Sequence, residues 1–228
     1  MASAFAAPRI NTVSYSEPER EHADVINMLL RGLDDECRAF MGAVQLFEHA
    51  SAEMLKRLRD DDSRAESDKF REWTFIAARD ATGSVFRFYE EMAAIGINLG
   101  HCPSVRAAMN VAKKRQATRT FRTLFPNVEG MRHSAQHSFG MMYGTPNGRA
   151  EHSTPEGSLY VNNLIGDEFE TTYRRRRIRL RIHADTHASL IQVRDLYWAA
   201  FEPLDMWRSR LLAGLRKPAQ GSTGDGTQ

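Results

Sequence analysis

Two long runs of apolar residues, recurring at steps of three and four, constrain this chain more than any other feature. In the first, Val25, Ile26, Leu29, Leu30, Leu33, Cys37, Phe40, Met41, Val44 and Phe47 fall along a helix that starts near Glu17. Ala50, Met54, Leu55 and Leu58 carry the pattern to a charged break at Asp60-Asp61-Asp62-Ser63. The second run spans about Glu66 to Ile95, marked by Phe70, Trp73, Phe75, Ile76, Val85, Phe86, Phe88, Tyr89 and Met92. Gly96 and Gly100 are expected to stop it. Pro103-Ser104 then opens a third helix, through Val105, Ala108, Met109, Val111 and Ala112 toward Phe121 and Leu124. Pro126 breaks that helix and can start a fourth.

The texture changes after Met142. Tyr143 to Gly157 holds three glycines and two prolines and reads as loop. From Ser158 to Ile182 the pattern alternates: Tyr160, Asn162 and Leu164, then Phe169, Thr171 and Tyr173, then Ile178, Leu180 and Ile182. Gly166-Asp167 is a turn between the first two. A last helix is expected from an N-cap at Asp185 to at least Phe201, before Pro203, with a resumption from Met206 to Leu215. The predicted fold is therefore mainly α: four or five bundled helices, with a small antiparallel β meander at about 158–182, before the last long helix. Three strands alone are marginal, so the meander must pack on the bundle. Residues 1–16 read as a flexible leader, 17–216 as one domain, and the Gly/Ser/Thr-rich stretch 217–228 as a disordered tail.

Composition excludes several classes. The formal charge of +2 rules out a polycation, so any nucleic-acid contact has to come from local clustering. Cys37 and Cys102 are the two cysteines, too few and too far apart for a disulfide scaffold or a Cys-rich zinc site. No stretch offers about 18 uninterrupted apolar residues, so no membrane span is expected. Met1 to Ser16 lacks the pattern of a signal peptide, and the expected location is cytoplasmic.

The chemistry-bearing segment is Arg132-His133-Ser134-Ala135-Gln136-His137, after Phe125-Pro126. On a helix at 100° per residue, Arg132, Gln136, Gly140, His133 and His137 share one arc. Val128, Met131, Ala135, Phe139 and Met142 share the other and should face the core. A fixed cation beside two titratable imidazoles can hold a phosphate and shuttle a proton. Such an arc either meets water or meets another chain.

Arg132-His133-x-x-x-His137, on a late helix of a mostly helical bundle, resembles the R-x4-6-H motif of HEPN domains, with a polar residue directly after the arginine. The resemblance covers roughly residues 17–142 plus the last helix. It implies a homodimer in which two such helices meet across a two-fold axis, and in active members a metal-independent endoribonuclease. It implies that His137 is the general acid/base at the ribose 2′-hydroxyl or the leaving oxygen. Arg132 would hold the scissile phosphate, and His133, where Asn is frequent, would orient the cleft. Two other readings stand beside it. One is a non-catalytic HEPN-like module for dimerisation or nucleic-acid binding, and the other is a helical protein without a nucleic-acid role.

A second cluster is the arginine run Arg174, Arg175, Arg176, Arg177, Arg179 and Arg181. On a strand, Arg175, Arg177, Arg179 and Arg181 share a face opposite Ile178, Leu180 and Ile182. That row is expected either to track RNA or DNA phosphates, with Tyr160 and Tyr173 adding stacking for single strands, or to keep an exposed sheet soluble. His133/His137 and His183/His187 have i, i+4 spacing, but neither pair shows a third or fourth ligand, so no metal and no cofactor is expected. Arg79-Asp80 is expected to form an internal salt bridge. Asp34-Asp35-Glu36 and Glu90-Glu91 are expected to be solvated faces.

Overall fold

The computed structural model describes residues 6–13, 15–59, 64–133 and 153–205. The break at Asp60 to Ser63, most of the Tyr143–Gly157 loop, the continuation from Met206 and the tail from Lys217 lie outside the described residues, as do His137, Gln136 and Gly140.

Helix α1, Glu17–Arg57, opens with Pro18 and two acidic residues in its first turn and closes with Lys56 and Arg57 in its last. Both ends therefore complement the helix dipole. Its buried residues Ala23, Ile26, Leu30, Leu33, Cys37, Phe40, Val44 and Phe47 alternate steps of three and four without a slip. That is a heptad seam, and α2, Arg64–Gly100, lies along it. The facing side of α2 is built of small residues, Ala77, Ala78, Ala81, Thr82 and Ser84, giving way to Val85, Phe88, Met92, Ile95 and Leu99. Small residues on one helix leave room for Phe40 and Phe47 on the other. No described helix is long and apolar enough to cross a membrane.

Two expected boundaries move. Gly96 does not interrupt α2, because Ile95 and Leu99 on either side of it are buried and hold the turn in place, and the helix ends at Gly100 as expected. The expected third helix is two helices. Helix α3 is Pro103–Ala108 and α4 is Val111–Leu124. The break falls at Met109, which is extended, and at Asn110, whose side chain accepts the Lys113 backbone N–H as an N-cap. Phe121 of α4 stacks on Phe88 and Tyr89, with centroids 5.7 and 5.9 Å apart, which fixes α4 against α2.

Helix α5 starts at 128 and is described to 133, after the Phe125-Pro126 break, with Asn127 in the left-handed region at φ 64°. Strands β1 Asn163–Ile165, β2 Glu168–Tyr173 and β3 Arg176–Arg181 form an antiparallel meander in the order β1-β2-β3. Phe169, Ile178, Leu180 and Ile182 point into the common core. Helix α6, Ala184–Trp198, follows. Its N-cap is His183, not Asp185, with the imidazole Nδ1 accepting the Asp185 N–H. It ends before Phe201, in a short 3-10 turn at Glu202–Leu204. Two side chains pin α6 to the helical hairpin: Tyr197 donates to the Met92 carbonyl at 3.2 Å and Trp198 to the Leu30 carbonyl at 2.8 Å. The fold is thus mainly α, with six described helices and the small sheet before the last long one. Upstream of α1, Ile10 is buried, and Asn27 both accepts from its N–H at 2.8 Å and donates to its carbonyl at 3.0 Å.

Candidate phosphate-binding cleft

The start of α5 lies against α2 and the end of β2. Val128 and Met131 are buried, as the apolar stripe requires, and this turns Arg132 and His133 outward. Arg132 is not directed only at solvent, however. Its guanidinium lies over the Phe86 ring, 4.1 Å from the centroid, and 3.8 Å from the Glu90 carboxylate. The cation is thus held on its own α2 by a ring face and a weak, half-exposed ion pair. His133 packs on Tyr173 with centroids 5.2 Å apart. Tyr173 in turn sits on Gly130: a Cβ there would lie 2.6 Å from its ring and 3.0 Å from Ile178. A glycine at this position is what lets the hairpin tip reach α5.

Arg132 and His133 line a cleft of about 570 Å³ together with Phe86, Tyr89, Tyr173, Glu90 and Glu129. Its walls combine these rings with Ala93, Ala94 and Ile97. The Tyr89 hydroxyl is held up from its ordinary pKa, first by its hydrogen bond to Glu129 and then by burial. The cleft has the size and lining of a small-ligand site, with ring faces for stacking and one guanidinium, Arg132, beside two carboxylates, Glu90 and Glu129.

The arginine run divides. Arg177, Arg179 and Arg181 do share the outer face of β3. Arg175 does not: with Arg174 it forms the two-residue turn between Tyr173 and Arg176, at φ 64° and 47°. The strand arginines are also neutralised. Across the ladder lie Glu168 and Glu170, and Asp167 stands at the turn. Arg177 donates to Glu170 at 2.6–2.7 Å, Arg179 to Glu170 at 2.7 Å, and Arg181 to Asp167 at 2.6 Å. Glu170 is 1% exposed, so its charge is held between two guanidiniums. Arg177 also stacks on Tyr160, 4.4 Å from its centroid, which occupies that ring. Three arginines against three carboxylates leave the strand face close to neutral. The row read as either a phosphate track or a solubilising face is mainly a ladder of paired charges.

Three other expectations are corrected. Arg79 and Asp80 are exposed and make no ion pair among the described residues, because both point away from the α1–α2 seam. The acidic triplet is a solvated face only at Asp35, which is exposed. Asp34 bonds Arg194 of α6, whose side chain is 8% exposed, and Glu36 accepts from Arg87 at 2.8 Å. Glu91 differs from Glu90: its carboxylate is packed against Gly32 of α1, and burial, then Glu36 and Asp35, push its pKa up to about 8. His183 is occupied as a cap. Among the described residues no group of three or more His, Cys, Asp or Glu side chains converges to hold a metal ion. Both cysteines are buried thiols, and burial raises Cys37 to about 12.

No protein-family profile matches the chain, and no curated protein or solved structure matches it significantly.

Proposed function

We propose that the chain is a HEPN-like RNA-binding protein whose cleft beside α5 acts as a metal-independent endoribonuclease, working as a homodimer. The observation that carries this reading is that Arg132 and His133 line the same cleft as three aromatic rings. Rings receive bases, and a guanidinium receives the phosphate between them. In the reaction the 2′-hydroxyl loses its proton to a general base and attacks the adjacent phosphorus. The P–O5′ bond breaks, and a general acid protonates the departing 5′-oxygen. The products are a 2′,3′-cyclic phosphate and a 5′-hydroxyl. His137 serves as the acid/base, Arg132 holds the phosphate as charge builds, and His133 orients the ring beside Tyr173.

One observation favours the non-catalytic module instead. Glu90 stands 3.8 Å from Arg132 and competes with a phosphate for it. Cleavage decides between the two. Purified protein in EDTA is incubated with mixed-sequence RNA, alongside Arg132→Ala and His137→Ala variants. The nuclease reading expects cleavage to 2′,3′-cyclic ends, reduced by about 100-fold or more in the His137 variant. Absence of cleavage by the parent chain, or equal cleavage by the His137 variant, overturns it.

A further inference from the structure

The hairpin tip between β2 and β3 has the opposite character from the strands behind it. Arg174, Arg175 and Arg176 are exposed, and none of them is ion-paired among the described residues. Arg174 lies over the Tyr173 ring, 5.2 Å from its centroid. Two consecutive arginines occupy left-handed backbone positions, at φ 47° and 64°. A two-residue hairpin turn with positive φ at both positions selects Asn-Gly or Asp-Gly. Side chains bearing a Cβ are disfavoured there. Strain of this kind at an exposed, highly charged tip points to a role in binding.

The tip is also placed with respect to the cleft. Tyr173 is at once the ring beneath Arg174, the neighbour of His133 and a wall of the cleft. Its packing on Gly130 fixes the distance between the two. We infer that the Arg174-Arg175-Arg176 tip is the backbone clamp of this protein, gripping the phosphates of a single-stranded RNA and leading it over Tyr173 into the cleft. This rests on the RNA reading above and moves the phosphate contacts from the strand arginines to the turn. The strand ladder, with its carboxylates, then serves to stiffen the hairpin that carries the clamp. A single strand is specified because the cleft admits about a nucleotide and its walls are rings, which stack on unpaired bases.

The sequence of the turn supplies a variant that should fold at least as well as the parent. Arg174→Asn/Arg175→Gly removes two charges and installs the pair the turn geometry prefers. Binding is measured by fluorescence anisotropy on a 2′-O-methyl oligoribonucleotide, which cannot be cleaved, across a salt series. The expected result is an unchanged or raised melting temperature with affinity about tenfold weaker. The slope of log affinity against log salt should be shallower by about 1.4, two contacts at roughly 0.7 each. Arg181→Gln, which removes a charge already paired to Asp167, should leave affinity within about threefold by the same reasoning. Unchanged affinity and slope in the turn variant overturn the clamp. So does a parent chain that binds anionic vesicles but not the oligonucleotide. The two readings separate cleanly. A parent that binds with the expected slopes but never cleaves ordinary RNA loses the nuclease and keeps the clamp, and one that cleaves with an indifferent tip does the reverse.

Discussion

Arg194 shows what single residues contribute here and why a linear reading misses it. Its guanidinium bonds Asp34 of α1 and Asp195 of its own helix and lies over Trp198, 4.5 Å from the ring centroid. Removing it leaves Asp34, itself largely covered, with only the exposed Arg38 as a partner. Arg194→Met is therefore expected to cost about 3 kcal/mol in urea denaturation, because an uncompensated buried charge is worse than none. Adding Asp34→Asn to that variant should recover part of the loss, and a recovery of nothing would show that packing on Trp198, not charge, is what Arg194 provides. The acidic triplet reads as a solvated face because its partner lies 160 residues away. No window along the chain contains both. The same holds for Glu170: its two arginines are plain in the sequence, but which carboxylates oppose them depends on strand register. Arg132 is legible as a cation turned out of its own core, while Phe86 and Glu90, which hold it, are not.

At the scale of elements, the two long helices are legible because apolar steps of three and four, kept up over 41 and 37 residues, match the period of a helix and of no strand or loop. Legibility fails where tertiary packing outweighs local propensity. A glycine at 96 weakens a helix, yet burial of Ile95 and Leu99 carries α2 past it to end at Gly100. Asn110 ends the apolar pattern of one helix and caps the next. That signal is readable, an Asn ahead of a helix-forming stretch, but the continuous pattern around it masks the break. The seam between α1 and α2 also carries an acid. Glu91 on α2 packs against Gly32, with Glu36 and Asp35 on α1 and Arg87 on its own helix around it. One oxygen each of Glu36 and Glu91 is buried without a hydrogen-bond partner. Because the folded pKa is near 8 and the unfolded one is the ordinary 4.5, the folded state holds a proton that the unfolded state releases. This group's contribution is greatest below the unfolded value and is lost as pH rises through about 8. Urea midpoints at pH 5, 7 and 9 should fall along that series. Glu91→Gln, neutral at every pH, should flatten the fall from pH 5 to 9, mostly in the part below about 8, and an identical fall in the variant would place the titration elsewhere.

For the whole molecule, the question is whether one copy is enough. The proposed chemistry needs an anion-holding cation and an acid/base group on the same phosphate, and Arg132 is half committed to Glu90 in its own subunit. A second α5 brought up across a two-fold axis would set another Arg132 and another His137 against the first pair and exclude water from the cleft. Mixing two dead proteins tests this directly. Arg132→Ala and His137→Ala chains, each inactive alone, are unfolded together and refolded as a mixture. If sites are composite, the mixed dimers bring one intact arginine and one intact histidine to the shared cleft. Activity should then return to a fraction of the parent's, with about half of the dimers mixed if pairing is random. Light scattering on the parent should give twice the 25.9 kDa chain mass. If the parent is a dimer but the mixture stays dead, each site belongs to one chain and the two-fold axis serves another purpose. If the parent is a monomer that cleaves RNA, the cleft beside Arg132 is complete within one chain, and Glu90 must move aside for the phosphate to enter.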